Sequence, residues 1–589
     1  MTEPRFRWRL PEPIESSLDF EAAASAAGFS RRIADLLIAR GVADAEALAA
    51  FVAPVGDGLH DPWQLPDADR LAARLAQARA GSERVMVFGD FDADGLTGLA
   101  IMLRALRAFG VDSEPYVPSR SDEGHGLSLR AIDTAAADGR TLIVTVDTGS
   151  SSVAEVDEAN RRGIDVIVTD HHRVPSPRPA AVALVNPQRD DSLYPDPRLA
   201  GSGVAFKVAQ LLLAKVAGGP ELAASLAQLA IIGTVADVAP IVGENRAIAR
   251  IGLQQLRAAP LAGLAALLEL AGTALASVDL ETIGFVIAPR INAAGRVGDA
   301  LEAANLLLTD DHAIAIELAG RLQAANLVRR DLTRAAMAEA QAVLAADPGD
   351  PAATVVKGDW PVGVIGLVAG RLAEERGRPA VVGTELDGVI RASCRSAAGF
   401  DLGAALSACA DLLIRHGGHP GAAGFEVAPE RWAAFRERFL GLVTDQVPPS
   451  SDGRPELRID LVIPAPDVDY AFLAELRRLD PTGPGNPDPL VAVEGLTVTR
   501  VRAATGGHTQ LTLRKRLDVV DGIAFGRGDL ATSVREGDRL DVVARIVTRR
   551  FGGYESIQLE IRDAATGGHL ADLAAGSPAP AAALAGAAG

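Results

Sequence analysis

Residues 85–95 have the sequence VMVFGDFDADG, in which a short apolar run ends in three aspartates at alternate positions. Three further apolar runs end in a single aspartate, one of them followed by two histidines: TLIVTVDTGS at 141–150, DVIVTDHH at 165–172 and LAIIGTVADVAP at 229–240. Three of the four runs are rich in valine and isoleucine and five to seven residues long, which predicts buried strands of a parallel sheet. The polar residues that end the runs are Asp90, Asp92, Asp94, Asp147, Asp170, His171, His172 and Asp237.

These polar residues follow their strands directly, and open α/β sheets build their sites at the carboxyl ends of the strands. Several carboxylates cannot converge there alone, because like charges a few ångströms apart repel strongly in a partly dry site. The sequence therefore predicts a divalent cation. Imidazole together with carboxylate suits Mn²⁺ better than Mg²⁺, although either ion fits this ligand set.

Two structural alternatives accompany this interpretation. The pattern DxDxDG also opens calcium loops of about twelve residues that a glutamate closes. Position 12 counted from Asp90 is Ile101 and an apolar strand precedes the motif, which disfavours a calcium loop. For Asp147 and Asp237, capping of the next helix is the alternative to metal binding.

Length and composition bound the fold. A chain of 589 residues predicts about three to five domains of ~100–200 residues each. Two cysteines make no disulfide framework, and MTEPRFRWRLPEP lacks the apolar core of a signal peptide. The stretch from Leu261 to Val278 is interrupted by Glu269, so we expect buried helices, no membrane span and a cytoplasmic protein. The net charge of −18 argues against a polyanionic partner, except that bound metal would neutralise the clustered aspartates.

The order of patterns along the chain predicts an α/β protein of several parts. The alternation of apolar strand runs with helical segments predicts a doubly wound parallel sheet. Near the end of the chain, short strands separated by turn signals predict a closed β-barrel. The predicted parts are a helical N-terminal segment at 1–75, the sheet at 76–245, a helical connector at 246–345, a second smaller α/β domain at 350–445, a closed β-barrel at 455–562 and a disordered tail at 563–589.

The motifs GDFDADG, VDTGS, TDHH and GTVADVAP resemble, in this order, those of the DHH phosphoesterase superfamily. Later segments, among them PRINAAGRVGDA, SCRSAAGFDL, GGHPGAAGF and LDPTGPGNPDP, are similar to the RecJ family of single-strand-specific exonucleases within it. The resemblance runs from about residue 35 to residue 562. One departure is Pro361, which follows Trp360 where the family has histidine, so any role of that histidine is lost or moved.

The resemblance implies a DHH catalytic core, a DHH-associated domain and an oligonucleotide-binding barrel. It also implies a 5′-to-3′ exonuclease that acts on single-stranded DNA in repair and recombination and releases 5′ mononucleotides. We expect two divalent ions, about 3.5–4 Å apart, to promote an in-line displacement at phosphorus. The expected metal ligands are Asp90, Asp92, Asp94, Asp147, His171 and Asp237, with Asp147 bridging. Asp170 and His172 either ligate or orient their neighbours, and the sequence does not separate these roles.

Further residues are candidates for holding the substrate. Arg120, Ser393 and Arg395 are predicted to form a pocket for the terminal 5′ phosphate, with a salt bridge between domains as the alternative. Arg290, Asn292 and Arg296 are expected to track the strand backbone, which Gly295 lets approach closely. His419 is expected to donate to the scissile phosphate, unless its turn only caps a helix. In the barrel, strand binding is assigned to basic and aromatic residues: Arg514, Lys515, Arg516, Arg549, Arg550, Phe525, Phe551 and Tyr554.

The expected partners are single-stranded DNA, a single-strand-binding protein and a helicase, and we expect a monomer. Two rival functions are weighed against the exonuclease. An enzyme acting on very short oligonucleotides or cyclic dinucleotides would generally lack the segment 455–562. A non-catalytic replication scaffold would have an eroded ligand set, whereas here every ligand position is filled.

Overall fold

The sheet that carries the aspartate motif has five strands, all parallel. Side chains of the strand Arg84–Gly89 alternate between two cores, with Val85 and Val87 on one face and Met86 and Phe88 on the other. Helices therefore cover both faces, as predicted for a doubly wound sheet. The strand order is Asp112–Tyr116, Arg84–Gly89, Leu142–Val146, Asp165–Thr169 and Ala183–Val185.

The chain order reverses beside Arg84–Gly89, the first strand of this sheet along the chain. It pairs with Asp112–Tyr116 on one side and with Leu142–Val146 on the other. Such a reversal leaves a crevice at the carboxyl ends of the two central strands. The helices around this sheet are Ala68–Ala80, Ala93–Phe109, Leu129–Ala137, Val153–Arg161, Gly201–Leu213, Gly219–Ala236 and Gly243–Ala258.

The fourth apolar run is helical, unlike the other three. LAIIGTVA forms the second half of the helix Gly219–Ala236, and Asp237 is its C-cap residue. This helix is long and apolar enough to cross a membrane, but most of it is buried against neighbouring helices. Its apolar character is explained by its place in the core, where it is surrounded on most sides.

A helical connector joins the parallel sheet to the second α/β domain. It includes a π-helical turn at Ile283–Ile287 and the helices Ala262–Leu270, Leu280–Thr282, Ala288–Val297, Ala300–Leu308 and His312–Ala346. The sheet of the second domain has the order Leu413–Gly418, Ala422–Val427, Val389–Arg395, Ala380–Leu386 and Thr354–Gly358, in which only the last pair is parallel. Its helices are Val362–Arg376, Leu402–Ser407 and Trp432–Gln446.

A separate compact unit contains the barrel. The strands follow the order Leu461–Ile463, Val491–Ala504, His508–Lys515, Asp518–Ala524, Tyr554–Thr566 and Arg539–Phe551. The last of these also pairs with Val491–Ala504, which closes the barrel as predicted. The helices of this unit are Leu18–Ala26, Arg31–Ala39, Ala45–Val52, Tyr470–Leu476, Leu530–Ser533 and His569–Gly576.

The N-terminal segment divides between the two units. Residues 1–54 belong with the barrel, while the helix Ala68–Ala80 packs on the parallel sheet. The segment is also not wholly helical, because Arg7–Arg9 pairs in parallel with Glu456–Arg458. Trp8 donates its indole N–H to the buried Asp563 at 2.8 Å, which ties this strand to the barrel.

The tail that we expected to be disordered from residue 563 is ordered as far as Gly576. Residues 563–566 continue the last barrel strand, and a helix follows at His569–Gly576. This computed structural model describes residues 2–120, 123–346, 352–397, 399–447, 454–551 and 554–576, and the rest of the predicted tail lies outside this range.

Candidate metal centre and anion pocket

The aspartate motif forms a tight loop between the first strand of the sheet and the helix Ala93–Phe109. Asp92 caps this helix, and one of its carboxylate oxygens accepts from the N–H groups of Asp94 and Gly95, each at 3.0 Å. Gly95 leaves room for the turn, because a Cβ there would lie 2.6 Å from the carbonyl oxygen of Asp90. Since strand and helix are both fixed, the three carboxylates are held at one point.

Asp94 connects this loop to a second helix. Its two carboxylate oxygens accept from the N–H groups of Gly201 and Ser202, at 2.7 and 3.0 Å. These N–H groups belong to the first turn of the helix Gly201–Leu213, where a negative charge is stabilised by the helix dipole.

Asp147 follows the neighbouring strand and is only 3 % exposed. Its backbone is in the left-handed region, with φ 61°, and a Cβ at Gly201 would lie 2.5 Å from its Oδ1. The next helix, Val153–Arg161, begins after Ser152, so Asp147 does not cap it. Burial and the nearby carboxylates of Asp94, Asp92 and Asp90 raise the pKa of Asp147 well above its usual value.

The sequence TDHH places one carboxylate and two imidazoles at the end of the strand Asp165–Thr169. Asp170 Oδ1 accepts from the N–H of His171 at 2.7 Å and lies 2.8 Å from His172 Nδ1. Asp170 Oδ2 accepts from the N–H of Ser150 at 2.9 Å. Burial alone would raise the pKa of Asp170, but the hydrogen bond with His172, the charges of His172 and His171 and the Ser150 N–H together outweigh burial and lower the pKa. Both oxygens of Asp170 are therefore already engaged by other groups of the chain.

His171 points at the acidic residues. Its Nε2 lies 3.1 Å from Asp147 Oδ1, and 3.9 Å from Asp94 Oδ2 and from Asp237 Oδ2. Neither His171 Nε2 nor Asp147 Oδ1 has a hydrogen-bond partner among the described residues, although both atoms are buried. Buried polar atoms without a partner are costly, so two of them facing each other are typical of atoms that share a cation.

Asp237 reaches the same place from a helix end. Burial and the charges of Asp94 and Asp92 raise its pKa to about 8. The same causes, burial first and then Asp90 and Asp94, raise the pKa of Asp92 to about 6. With a pKa of about 8, the Asp237 carboxyl retains its proton near neutral pH unless a cation compensates the charge.

Three overlapping groups of side chains each bring their ligand atoms within 4.8 Å of one another. Asp147 belongs to two of the groups and so does His171, whereas Asp170 belongs to none. The groups are Asp147 with His171 and His172, Asp94 with His171 and Asp237, and Asp90 with Asp92 and Asp147. Because the three groups share Asp147 and His171 but differ in their other residues, the site can hold more than one ion.

His125 also takes part in this site, and the sequence reasoning missed it. Its Nδ1 lies 2.7 Å from Asp90 Oδ2, and its ring contacts Phe91 with centroids 4.5 Å apart. The residue lies in the loop after the strand Asp112–Tyr116. The signal that identified the aspartates, a polar residue beyond a strand end, also marks this loop, but several residues separate His125 from its strand.

Three arginines form a second cluster of like charge. The Arg120 guanidinium lies over the Phe91 ring, 4.8 Å from its centroid, and Arg395 Nη1 donates to Ser393 Oγ at 3.2 Å. Arg296 Nη1 donates to the carbonyl of Gly363 at 3.0 Å. Burial, together with repulsion from Arg120 and Arg395, lowers the pKa of Arg296 to about 9.

None of Arg120, Arg296 and Arg395 pairs with a carboxylate in the part of the chain that the structure describes. The alternative of a salt bridge between domains therefore finds no support there. Three guanidiniums that repel one another and lack an acidic partner form a site suited to an anion.

The helix Ala288–Val297 faces the motif loop. Asn292 Oδ1 accepts from the N–H of Ala93 at 2.8 Å, and a Cβ at Gly295 would lie 2.3 Å from the carbonyl oxygen of Phe91. The close approach that Gly295 permits is thus to the chain's own backbone. Arg290 donates from Nε to Gln323 at 2.8 Å, which holds its guanidinium against the connector.

His419 brings the second domain to the metal centre. Its ring is stacked on that of His172, with centroids 5.5 Å apart and an angle of 17° between the planes. The turn that carries it joins two strands, Leu413–Gly418 and Ala422–Val427, and is closed by the His419 N–H donating to Ala422 at 2.8 Å. The turn also meets a helix end, because the N–H of Leu402, the first residue of the helix Leu402–Ser407, donates to the Pro420 carbonyl at 3.1 Å.

The barrel candidates lie in the other unit. Phe525 and Tyr554 are exposed, and Lys515 Nζ pairs with Glu494 at 3.0 Å. The side chains of Arg550 and Phe551 lie outside the described residues.

Three domains of the chain match known family models: the parallel-sheet domain, the second α/β domain and the barrel. The chain matches the models of the DHH family N-terminal domain at residues 84–234, the DHHA1 domain at 349–445 and the RecJ OB domain at 459–563. The single-stranded-DNA-specific exonuclease RecJ of Bacillus subtilis is 35 % identical over 570 residues, which cover 96 % of this chain and 71 % of that protein. The exonuclease of the same name from Escherichia coli is 34 % identical over 526 residues, covering 85 % and 90 %.

Solved structures agree with this fold. The crystal structure of RecJ in complex with Mn²⁺ from Thermus thermophilus superposes with a TM-score of 0.81 at 31 % identity, covering 95 % of this chain and 80 % of that one. The complex of RecJ with Mg²⁺ from the same organism gives a TM-score of 0.75 at 29 % identity, covering 95 % and 78 %. The predicted α/β core, connector, second α/β domain and barrel are confirmed.

Proposed function

The chain belongs to the RecJ family of single-stranded-DNA-specific exonucleases, and from this premise we propose that it hydrolyses single-stranded DNA from the 5′ end and releases 5′ mononucleotides. The observation that carries the proposal is the pair of buried, unpartnered atoms Asp147 Oδ1 and His171 Nε2 at the strand ends. An acidic cluster of this kind fits divalent cations, and the relatives of known structure hold Mn²⁺ or Mg²⁺.

The residues proposed to hold two ions are six members of the three groups: Asp90, Asp92, Asp94, Asp147, His171 and Asp237. The seventh member, His172, is left out because its Nδ1 already lies 2.8 Å from Asp170 Oδ1. Bound ions would activate water and stabilise the charge that develops on the phosphate. Asp147 and His171 each lie in two of the three groups, and Asp147 is proposed as the shared ligand because a carboxylate offers two oxygens. His125 is proposed to position Asp90, since a histidine bonded to a ligand carboxylate fixes that carboxylate's orientation.

Asp170 and His172 are assigned different roles. Asp170 is proposed to position His172, because both of its oxygens already accept hydrogen bonds from the chain. Nδ1 of His172 lies against Asp170, and the ring of His172 stacks on that of His419. We assign these two rings to contacts with oxygens of the scissile phosphate.

The arginine cluster (Arg120, Arg296 and Arg395) is proposed to hold the terminal 5′ phosphate, with Ser393 as a hydroxyl donor. Arg forks match phosphate oxygens, and no carboxylate competes for them among the described residues. Burial lowers the pKa of Arg120. Asp90 and Asp92 offset part of this effect, because Arg120 lies close to the metal centre. A terminal phosphate held this near the hydrolytic site would limit the product to one nucleotide.

The remaining proposals rest on the family. We propose that the barrel binds the strand beyond the active site, that Arg290 contributes to the strand path, and that the enzyme acts in the cytoplasm in DNA repair and recombination. A single-strand-binding protein and a helicase are the proposed partners, with the enzyme itself monomeric.

One experiment separates the proposed function from its rivals. The purified protein is incubated with Mn²⁺ and, in parallel reactions, with long single-stranded DNA or with a dinucleotide, each labelled at its 5′ phosphate, and the products are resolved over time. Labelled mononucleotide is the expected first product, and an Asp147→Ala protein should release none. Cleavage of dinucleotides alone would indicate the short-oligonucleotide class of enzyme, and no cleavage at all would indicate a scaffold.

A further inference from the structure

Val238, the residue after Asp237, has a backbone conformation that is unfavourable for valine. The N–H of Val238 donates to Val235 at 3.2 Å and that of Ala239 to Thr234 at 3.1 Å, the two bonds of a Schellman helix end. The residue at the centre of this motif is usually glycine, because its φ is positive. Val238 has φ 60°, where a β-branched side chain is strained.

Burial does not compensate for this strain. The Val238 side chain is 66 % exposed, so it gains little from packing. Glycine would relieve the strain and lose almost no contact. A strained and exposed side chain next to a metal-ligand candidate indicates a role outside folding.

Phe285 is a second exposed apolar side chain near this point, at 80 % exposure. It lies in the π-helical turn Ile283–Ile287, a distortion found often at functional sites. The turn packs against the helix that ends at Asp237, because a Cβ at Gly284 would lie 3.4 Å from Val235 Cγ1. Phe285 is thus held beside the helix end that carries Asp237 and Val238.

The same helical segment leads from Phe285 to the motif loop. Asn292, which accepts from the N–H of Ala93, follows Phe285 by seven residues. The seven residues include part of the π-helical turn and span about two helical turns, about 10 Å along the axis. Phe285 therefore lies within about two helical turns of the residue that contacts the motif loop.

We propose that Val238 and Phe285, together the apolar step, contact a nucleobase of the bound strand next to the scissile phosphate. The inference rests on the proposed function, since the occupant is the DNA strand itself. An aromatic ring stacks on the face of any base, so the contact is independent of sequence. The contact requires an unpaired and unstacked base, which a duplex does not present. Val238 directly follows the metal-ligand candidate Asp237 in the chain.

The first test measures affinity for a 5′-phosphorylated single strand by fluorescence anisotropy, with the full-length protein and with metal chelated. Phe285→Ala should weaken binding about tenfold, the order expected for the loss of one base–aromatic stack. Val238→Gly should also weaken binding, yet its Tm should be equal to or higher than that of the wild type. A structural role for the valine side chain would instead lower Tm.

Two control variants match these changes. Ser82 occupies the same Schellman position at the end of the helix Ala68–Ala80, with φ 48°, at the opposite end of the motif strand. Ser82→Gly should raise Tm without changing affinity. Ile314→Ala removes a half-exposed apolar side chain from the first turn of the helix His312–Ala346 and should leave affinity unchanged.

The second test replaces single nucleotides near the 5′ end with abasic residues. The wild type should lose about tenfold in affinity at one position, and Phe285→Ala should lose nothing further at that position. The inference is overturned if both step variants bind like the wild type, or if Phe285→Ala retains the full abasic penalty at every position. A wild type that neither binds nor cleaves single strands would overturn the proposed function as well.

Discussion

The acidic cluster at the strand ends and the arginine cluster beside it carry opposite charges but share one electrostatic feature. In each, buried charges of one sign converge and raise one another's free energy, and in each the described residues supply too little opposite charge. The acidic cluster therefore fits a cation and the arginine cluster an anion. Such sites are organised for their ligands rather than for the stability of the free protein.

The largest expected effect is at Asp147. Asp147→Asn should lower kcat/KM by at least about 10³-fold, because metal ions supply several kcal/mol to the transition state. Asparagine tolerates the positive φ, so the fold should remain. The Tm in chelator should not fall, since a buried carboxylate with a raised pKa is removed.

Thermal unfolding with and without Mn²⁺ checks this prediction. The wild type should gain several degrees at saturating Mn²⁺, because an ion that binds only the native state stabilises it. Asp147→Asn should lose most of that gain. Equal Mn²⁺ stabilisation of the two proteins would place the ion elsewhere.

The next effect concerns the arginine cluster. Arg395→Ala should reduce the preference for phosphorylated over unphosphorylated 5′ ends by about 10- to 100-fold, because a charged hydrogen bond contributes about 1.5–3 kcal/mol. Arg395→Lys should recover part of the preference, since lysine keeps the charge but not the fork. The measurement is kcat/KM on paired substrates that differ only at the 5′ end, and an unchanged ratio would contradict the phosphate pocket.

The sequence predicted much of the acidic cluster because the geometry of parallel strands is general. Carboxyl ends of adjacent strands meet at one edge, so Asp90, Asp147 and His171 could be placed together without a structure. The run before Asp237 is a helix. Its sequence does not separate helix from strand, because a buried helix and a buried strand are equally apolar over a few residues. Asp237 still reaches the edge, because its helix ends there.

Other contacts could not be predicted because they join residues far apart in the chain. The pairing of Arg7–Arg9 with Glu456–Arg458 leaves no local pattern. Sequence alone also does not show which side of the helix Ala288–Val297 faces inward. We expected Asn292 and Gly295 to face the substrate, whereas both contact the motif loop.

A smaller effect is expected at His125, which links the two clusters through Asp90 and Phe91. His125→Ala should weaken the apparent affinity for Mn²⁺ about tenfold, as loss of a residue that orients a metal ligand usually does. Activity should recover at high Mn²⁺, which distinguishes positioning from direct participation in the reaction. The measurement is a titration of activity against Mn²⁺ concentration, and a loss of activity that excess Mn²⁺ does not restore would contradict the assignment.

The smallest effect should be at Asn292, whose single hydrogen bond holds the motif loop. Asn292→Ala removes one neutral bond of about 1 kcal/mol, so Mn²⁺ affinity should fall about fivefold. Arg290→Ala is the matched control on the same helix, because its guanidinium bonds to Gln323 and Val286 rather than to the loop. It should leave Mn²⁺ affinity unchanged and weaken only DNA binding. If the two variants instead lost DNA affinity alike and bound Mn²⁺ like the wild type, the helix would serve only the strand path, and the acidic cluster would be held without it.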